Sequence, residues 1–166
     1  MAVDQPVVAL GSQSTYLTGV MLMVPTLGGR LQTRVFVLVV VGGLVVLAVT
    51  PLLVSGASIG DLYQATYVVL AAVLVLGLAW EFVYHFLQQF RWEKDWPTMF
   101  GLLTGINEGL LVWVLLSADV LPTGTSVSGG NFLIVFVSVW LVTWLWVNGP
   151  MRVPWIRWRF RGGRLV

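Results

Sequence analysis

Four apolar runs, each near the length needed to cross a bilayer, divide this chain, and every Lys and Arg falls on one side of them. Arg30 and Arg34 precede the first run. Arg91 and Lys94 lie between the second and third, and Arg152, Arg157, Arg159, Arg161 and Arg164 follow the fourth. The two remaining connections, Ser55–Asp61 and Ser117–Asn131, hold no cation. Cytoplasmic loops of membrane proteins retain Lys and Arg, so this segregation predicts both membrane residence and orientation.

Composition agrees. With 58% hydrophobic and 10% charged residues and a mean hydropathy of +0.90, there is too little polar surface to cover a water-soluble globule. A span needs about 20 residues, and backbone groups without water partners must be helical there. The expected fold is therefore an all-α integral membrane protein with four transmembrane helices, near 35–54, 62–90, 97–116 and 130–148. Both termini are expected on the cytoplasmic side and the loops are short. Residues 1–34 form an N-terminal cytoplasmic or interfacial segment, 35–148 the membrane domain, and 149–166 a basic, aromatic cytoplasmic tail.

The first 29 residues lack the positive stretch that precedes the apolar part of a secretory signal, so no removable signal peptide is expected. Eight Arg against one Lys suggests a high-GC bacterial genome, and with it a multi-pass protein of the inner membrane. Absence of cysteine excludes disulfides and thiolate metal sites.

Ionisable groups inside a membrane are costly and are functional candidates by default. The second run carries Glu81 and the only histidine, His85; the third carries Glu108. Glu81 stands about twelve residues before the centre of the Arg91–Trp96 hairpin and Glu108 about fourteen after it, which brings them to similar depth at ~1.5 Å per residue. On the second helix Tyr63, Tyr67, Gly77, Glu81, His85 and Gln88 share one stripe. On the third, Gly101, Gly105 and Gly109 form a small-residue ladder suited to close helix packing. Glu108 lies beside that ladder, with Thr104 and Asn107 near it. Two carboxylates at one depth in a low-dielectric medium do not both ionise readily.

Three roles are open to Glu81, His85, Thr104, Asn107 and Glu108. They can act as interhelical hydrogen-bond glue, as a proton or cation path, or as a pairing site for a partner subunit. No catalytic set, metal set, phosphate loop or dinucleotide fingerprint is present in the sequence, so neither an enzyme nor a cofactor is expected. The Trp residues are expected mainly at the membrane interfaces. The tail, through Arg152, Arg157, Trp158, Arg159, Arg161 and Arg164, suits anionic headgroups or a partner, with no nucleic acid expected. The functional expectation is a small membrane subunit or anchor within a larger complex. The alternative is a homo-oligomeric proton- or cation-linked transporter that uses Glu81 and Glu108.

Overall fold

The computed structural model describes residues 26–89, 98–154 and 164–165, with the side chains of 88–89 and 98–103 outside that description. Among the described residues all regular secondary structure is helical. Helix α1 runs Leu27–Leu52, α2 Ile59–Gln89, α3 Thr98–Ser117 and α4 Gly129–Asn148, followed by a short turn Pro150–Arg152. Leu27–Leu52, most of α2, and α4 with its following turn are long and apolar enough to cross a membrane; α3 is apolar over Thr104–Ser117.

Local chemistry sets the helix starts. The Thr26 hydroxyl accepts a hydrogen bond from the Gly29 N–H at 3.2 Å, and the Ser128 hydroxyl accepts from Asn131 N–H at 3.2 Å. Each satisfies one of the first-turn donors that a helix leaves without a partner. At α2 the Ser58 hydroxyl accepts from the Asp61 N–H and donates to the Asp61 carboxylate, at 3.2 and 2.7 Å. Pro51 in the last turn of α1 has no N–H to continue the ladder, and the helix tightens into a 3₁₀ turn there.

The Thr26 cap moves the start of α1 well ahead of the expected Val35. Arg30 and Arg34, read from sequence as flanking residues, are helical. The other three helices lie within a few residues of their expected spans.

Consecutive helices pack antiparallel around a ring, with α1 and α3 on one diagonal and α2 and α4 on the other. Tyr67 donates to the Gly43 carbonyl at 3.2 Å and Tyr63 to the Leu47 carbonyl at 3.0 Å, both from α2 to α1. Nearer the loop, the hydroxyls of Thr50 and Thr66 meet at 3.0 Å in a buried contact. One hydroxyl donates to the other, and the one that accepts donates to its own helix, Thr50 to the Val46 carbonyl or Thr66 to that of Leu62. The Asn131 amide donates to the Val54 carbonyl at 3.1 Å and ties α4 to the end of α1.

Within α1, Val37–Gly42 is π-helical. The wider turn rotates the buried face. Below it Gly29, Thr33 and the arginines belong to the α2 side, whereas Val37, Leu38, Val41 and Gly42 pack against α4. One extra residue in the turn lets a single helix serve two neighbours. Gly42 sits at that change of face, where a Cβ would lie 3.2 Å from Leu70 Cδ1 and 3.4 Å from Val139 Cγ1.

The core joins Leu38 and Val46 to Val69, Leu70 and Val73, Val112 and the α4 residues Phe132, Val135, Phe136 and Val139. Large apolar side chains also cover the outside: Leu44, Val75, Leu110 and Leu133 are exposed. An apolar exterior around an apolar core matches immersion in lipid, where burial supplies no hydrophobic drive between helices and van der Waals fit must hold them.

That fit is close between α3 and α4. A Cβ at Gly105 would collide with the Trp140 indole, and one at Gly109 would lie 2.7 Å from Phe136 Cε1. The glycine ladder thus receives aromatic rings rather than a second backbone. Gly101, the third member, has its surroundings outside the described side chains. Trp113, tilted against Phe132 with ring centroids 5.2 Å apart, continues the same seam. Trp113 and Trp140 pack against the core, and Trp146 packs against Val37, Val41 and Met151. The expected interfacial belt is, at these positions, internal packing. Gly109→Ala should lower thermal stability in detergent by about 1–3 kcal/mol through overpacking, and Phe136→Leu in the same chain should restore part of the loss. A neutral Gly109→Ala would contradict this seam.

Candidate functional site

The two carboxylates singled out from sequence are joined by a residue assigned to the flank. Arg34 donates through Nη1 to Glu81 Oε1 at 3.1 Å and through Nη2 to Glu108 Oε2 in a short contact. Arg30 Nε lies 2.9 Å from Glu81 Oε2. Two arginines on α1 thus face one glutamate on α2 and one on α3, and the group is charge-balanced. Because α1 and α3 lie on a diagonal, the Arg34 side chain reaches across the interior of the bundle.

Each contact has a local cause. Arg30 and Arg34 are four residues apart, so both project from one face of α1. Gly77 stands one turn before Glu81 on the matching face of α2, and a Cβ there would collide with the Arg34 guanidinium. The glycine therefore opens the passage by which the arginine arrives. A guanidinium suits this position because its planar fork offers separate N–H donors to two carboxylates, which an ammonium on a similar stem cannot do in one fixed geometry.

Burial makes the arrangement energetically consequential. The Glu108 side chain is 6% exposed, Glu81 13%, Arg34 18% and Arg30 23%. A charge taken from water into such surroundings costs several kcal/mol unless it is paired. Here each carboxylate is paired with a guanidinium. Arg34 Nε is buried without an acceptor among the described residues.

The remaining predicted residues divide. His85, one turn beyond Glu81, is half-buried and takes no part in the ion-pair group among the described residues. Thr104 is half-buried one turn before Glu108. Asn107 is exposed on α3, and its amide lies beside the Tyr84 hydroxyl; Tyr84 itself stacks on Trp80 with ring centroids 5.6 Å apart.

Of the tail, Arg157, Trp158, Arg159 and Arg161 lie outside the described residues. Arg152 donates to the Asn148 side chain at 3.0 Å, and Arg164 is exposed. The neighbouring Leu165 donates its N–H to Gln32 Oε1 at 3.1 Å. Its side chain rests on Val37, Val41 and Met151. The chain therefore returns to the base of α1 beside the arginine pair.

Sequence reasoning missed Arg30 and Arg34 as site residues. Three signals pointed to them: their i, i+4 spacing, the Thr26 cap ahead of two glycines, and the count of two cations for two intramembrane carboxylates. The chain matches no family model, curated protein or solved structure.

Arg34→Gln should cost about 3–5 kcal/mol of stability, since it leaves the buried Glu108 without a cation while Glu81 keeps only Arg30. Arg34→Gln combined with Glu108→Gln should recover a substantial part of that loss. Thermal unfolding in a mild detergent reads both, and a double variant no more stable than the single one would count against the pairing.

Proposed function

We propose that this chain is a small polytopic subunit or anchor of a bacterial inner membrane, which assembles into a larger complex through its helix faces and its basic cytoplasmic surface. The observation that carries this reading is the charge balance of the buried junction. Arg34 and Arg30 occupy both carboxylates, a state suited to holding three helices in fixed register. A cation path would use carboxylates open to an incoming ion.

The one-sided distribution of Lys and Arg supports a topology with both termini and the Arg91–Trp96 hairpin in the cytoplasm. The Arg30–Arg34 pair then sits in the inner half of the bilayer. Contact of Leu165 with Gln32 keeps the end of the basic tail at that face, where anionic headgroups or an acidic partner would meet it.

Asn107 supports assembly through a helix face. It is exposed beside Ile106 and one turn before Leu110 on an outward surface that is otherwise apolar. An amide has more hydrogen-bonding capacity than one neighbouring hydroxyl fulfils, and lipid tails supply no partner; a polar side chain on an adjoining helix does.

Isolation in mild detergent followed by mass spectrometry should find the chain in stoichiometric company with larger subunits, and Asn107→Leu should weaken that association. Recovery only as a homo-oligomer would overturn the proposal. In reconstituted vesicles the Glu81→Gln and Glu108→Gln double variant should leave proton and cation flux at the wild-type level. A flux present in wild type and abolished in a variant that still unfolds cooperatively in detergent would establish the transport alternative.

A further inference from the structure

Leu165 meets α1 on both sides of Arg34. Its N–H donates to Gln32 Oε1 at 3.1 Å, and its side chain packs against Val37 and Val41 in the π-helical turn. Met151, in the turn after α4, belongs to the same cluster and is fully buried. Leu165 therefore seals the seam between α1 and α4 at the foot of the bundle that carries the arginines.

Three features make this closure reversible. Arg164 and Leu165 belong to no helix, so no backbone ladder holds them. The hydrogen bond to Gln32 is exposed, and water can replace either partner with little net loss. The closed arrangement also carries a cost. Trp146 packs on the same cluster, and its indole N–H is buried without an acceptor among the described residues. A buried donor left unpaired opposes the state that buries it, and entry of water at the seat relieves that cost. Among the described residues, retention thus rests on one apolar side chain, Leu165, in a seat that α1 and α4 have already brought together.

We propose that Leu165 is the plug of a releasable strap. Seated, it covers Val37, Val41 and Met151; released, it leaves them as an open apolar seat. The inference rests on the reading of the basic tail as part of an assembly surface, and gives that surface a closed and an open form.

The chain has no cysteine, so one introduced thiol reports on the seat. In neutral maltoside detergent, Met151→Cys in the full chain should react slowly with a water-soluble maleimide. Adding Leu165→Ala should raise the rate about tenfold, because most of the leucine's apolar contact is lost. Val112→Cys is equally buried, in the core on α3; its rate should be the same with and without Leu165→Ala, which separates release of the strap from general loosening. A peptide of residues 155–166, added in excess, should slow the reaction of Met151→Cys in the Leu165→Ala chain. The same peptide carrying Leu165→Ala should not. Equal Met151→Cys rates with and without Leu165→Ala would overturn the strap, as would an equal rise at Val112→Cys or equal effects of the two peptides. If Met151→Cys does not fold, Val41→Cys gives the same readout from the α1 side of the seat. The rates are read on the isolated chain, so failure of the strap is distinct from failure to recover a larger complex.

Discussion

The Arg34 guanidinium, held between Glu81 and Glu108, is the interaction on which the lower half of the bundle depends. In water an ion pair of this kind would contribute little. Inside an apolar bundle the same groups bind their helices into one arrangement, because any register that separates them leaves a charge without compensation. α1 and α3 do not pack as neighbours, so the arginine also supplies a cross-brace along a diagonal that backbone packing leaves open.

Several otherwise unrelated features follow from admitting that side chain. Gly77 clears its path. The capped extension of α1 to Leu27 brings Arg30 and Arg34 within reach, and the π-helical turn above them redirects the helix toward α4 once the contact with α2 is made. At the opposite end the constraint is different in kind. Thr50, Thr66 and Asn131 bind helix ends with neutral hydrogen bonds, while rings fill the spaces left by Gly105 and Gly109. Charge fixes one half of the bundle and shape fixes the other.

Much of this was legible in the sequence. Lengths and apolarity mark the helices, and the stripe of Tyr63, Tyr67, Gly77 and Glu81 marks the face of α2 that meets α1. Two residue types carried a double meaning. A cation near an apolar run reads as a loop marker because lipid excludes charge, yet the exclusion lapses when a carboxylate waits at the same depth. Arg30 and Arg34 meet that exception, and only pairing across helices, which periodicity within one helix does not contain, could reveal it. Glycine reads as backbone proximity, but a missing Cβ creates a space without specifying its occupant. Trp140 and Phe136 fill that space, and their sequence setting equally suited an interface belt.

Glu108 and Asp119 show how differently the fold treats its acidic side chains. Glu108 is nearly enclosed and its negative charge is answered by Arg34 from within the protein. Replacing that answer with an external ion would first require breaking the brace between α1 and α3. Asp119 is exposed, sits in a conformation that disfavours it, and adds its charge to a helix end that is already negative. Among the described residues no ion pair involves the Asp119 carboxylate, whereas Glu108 pairs with Arg34 and so links α3 to α1. A carboxylate whose charge stabilises the bundle is poorly placed to exchange ligands. The intramembrane acids, conspicuous by position, are thereby committed to the bundle's own arginines.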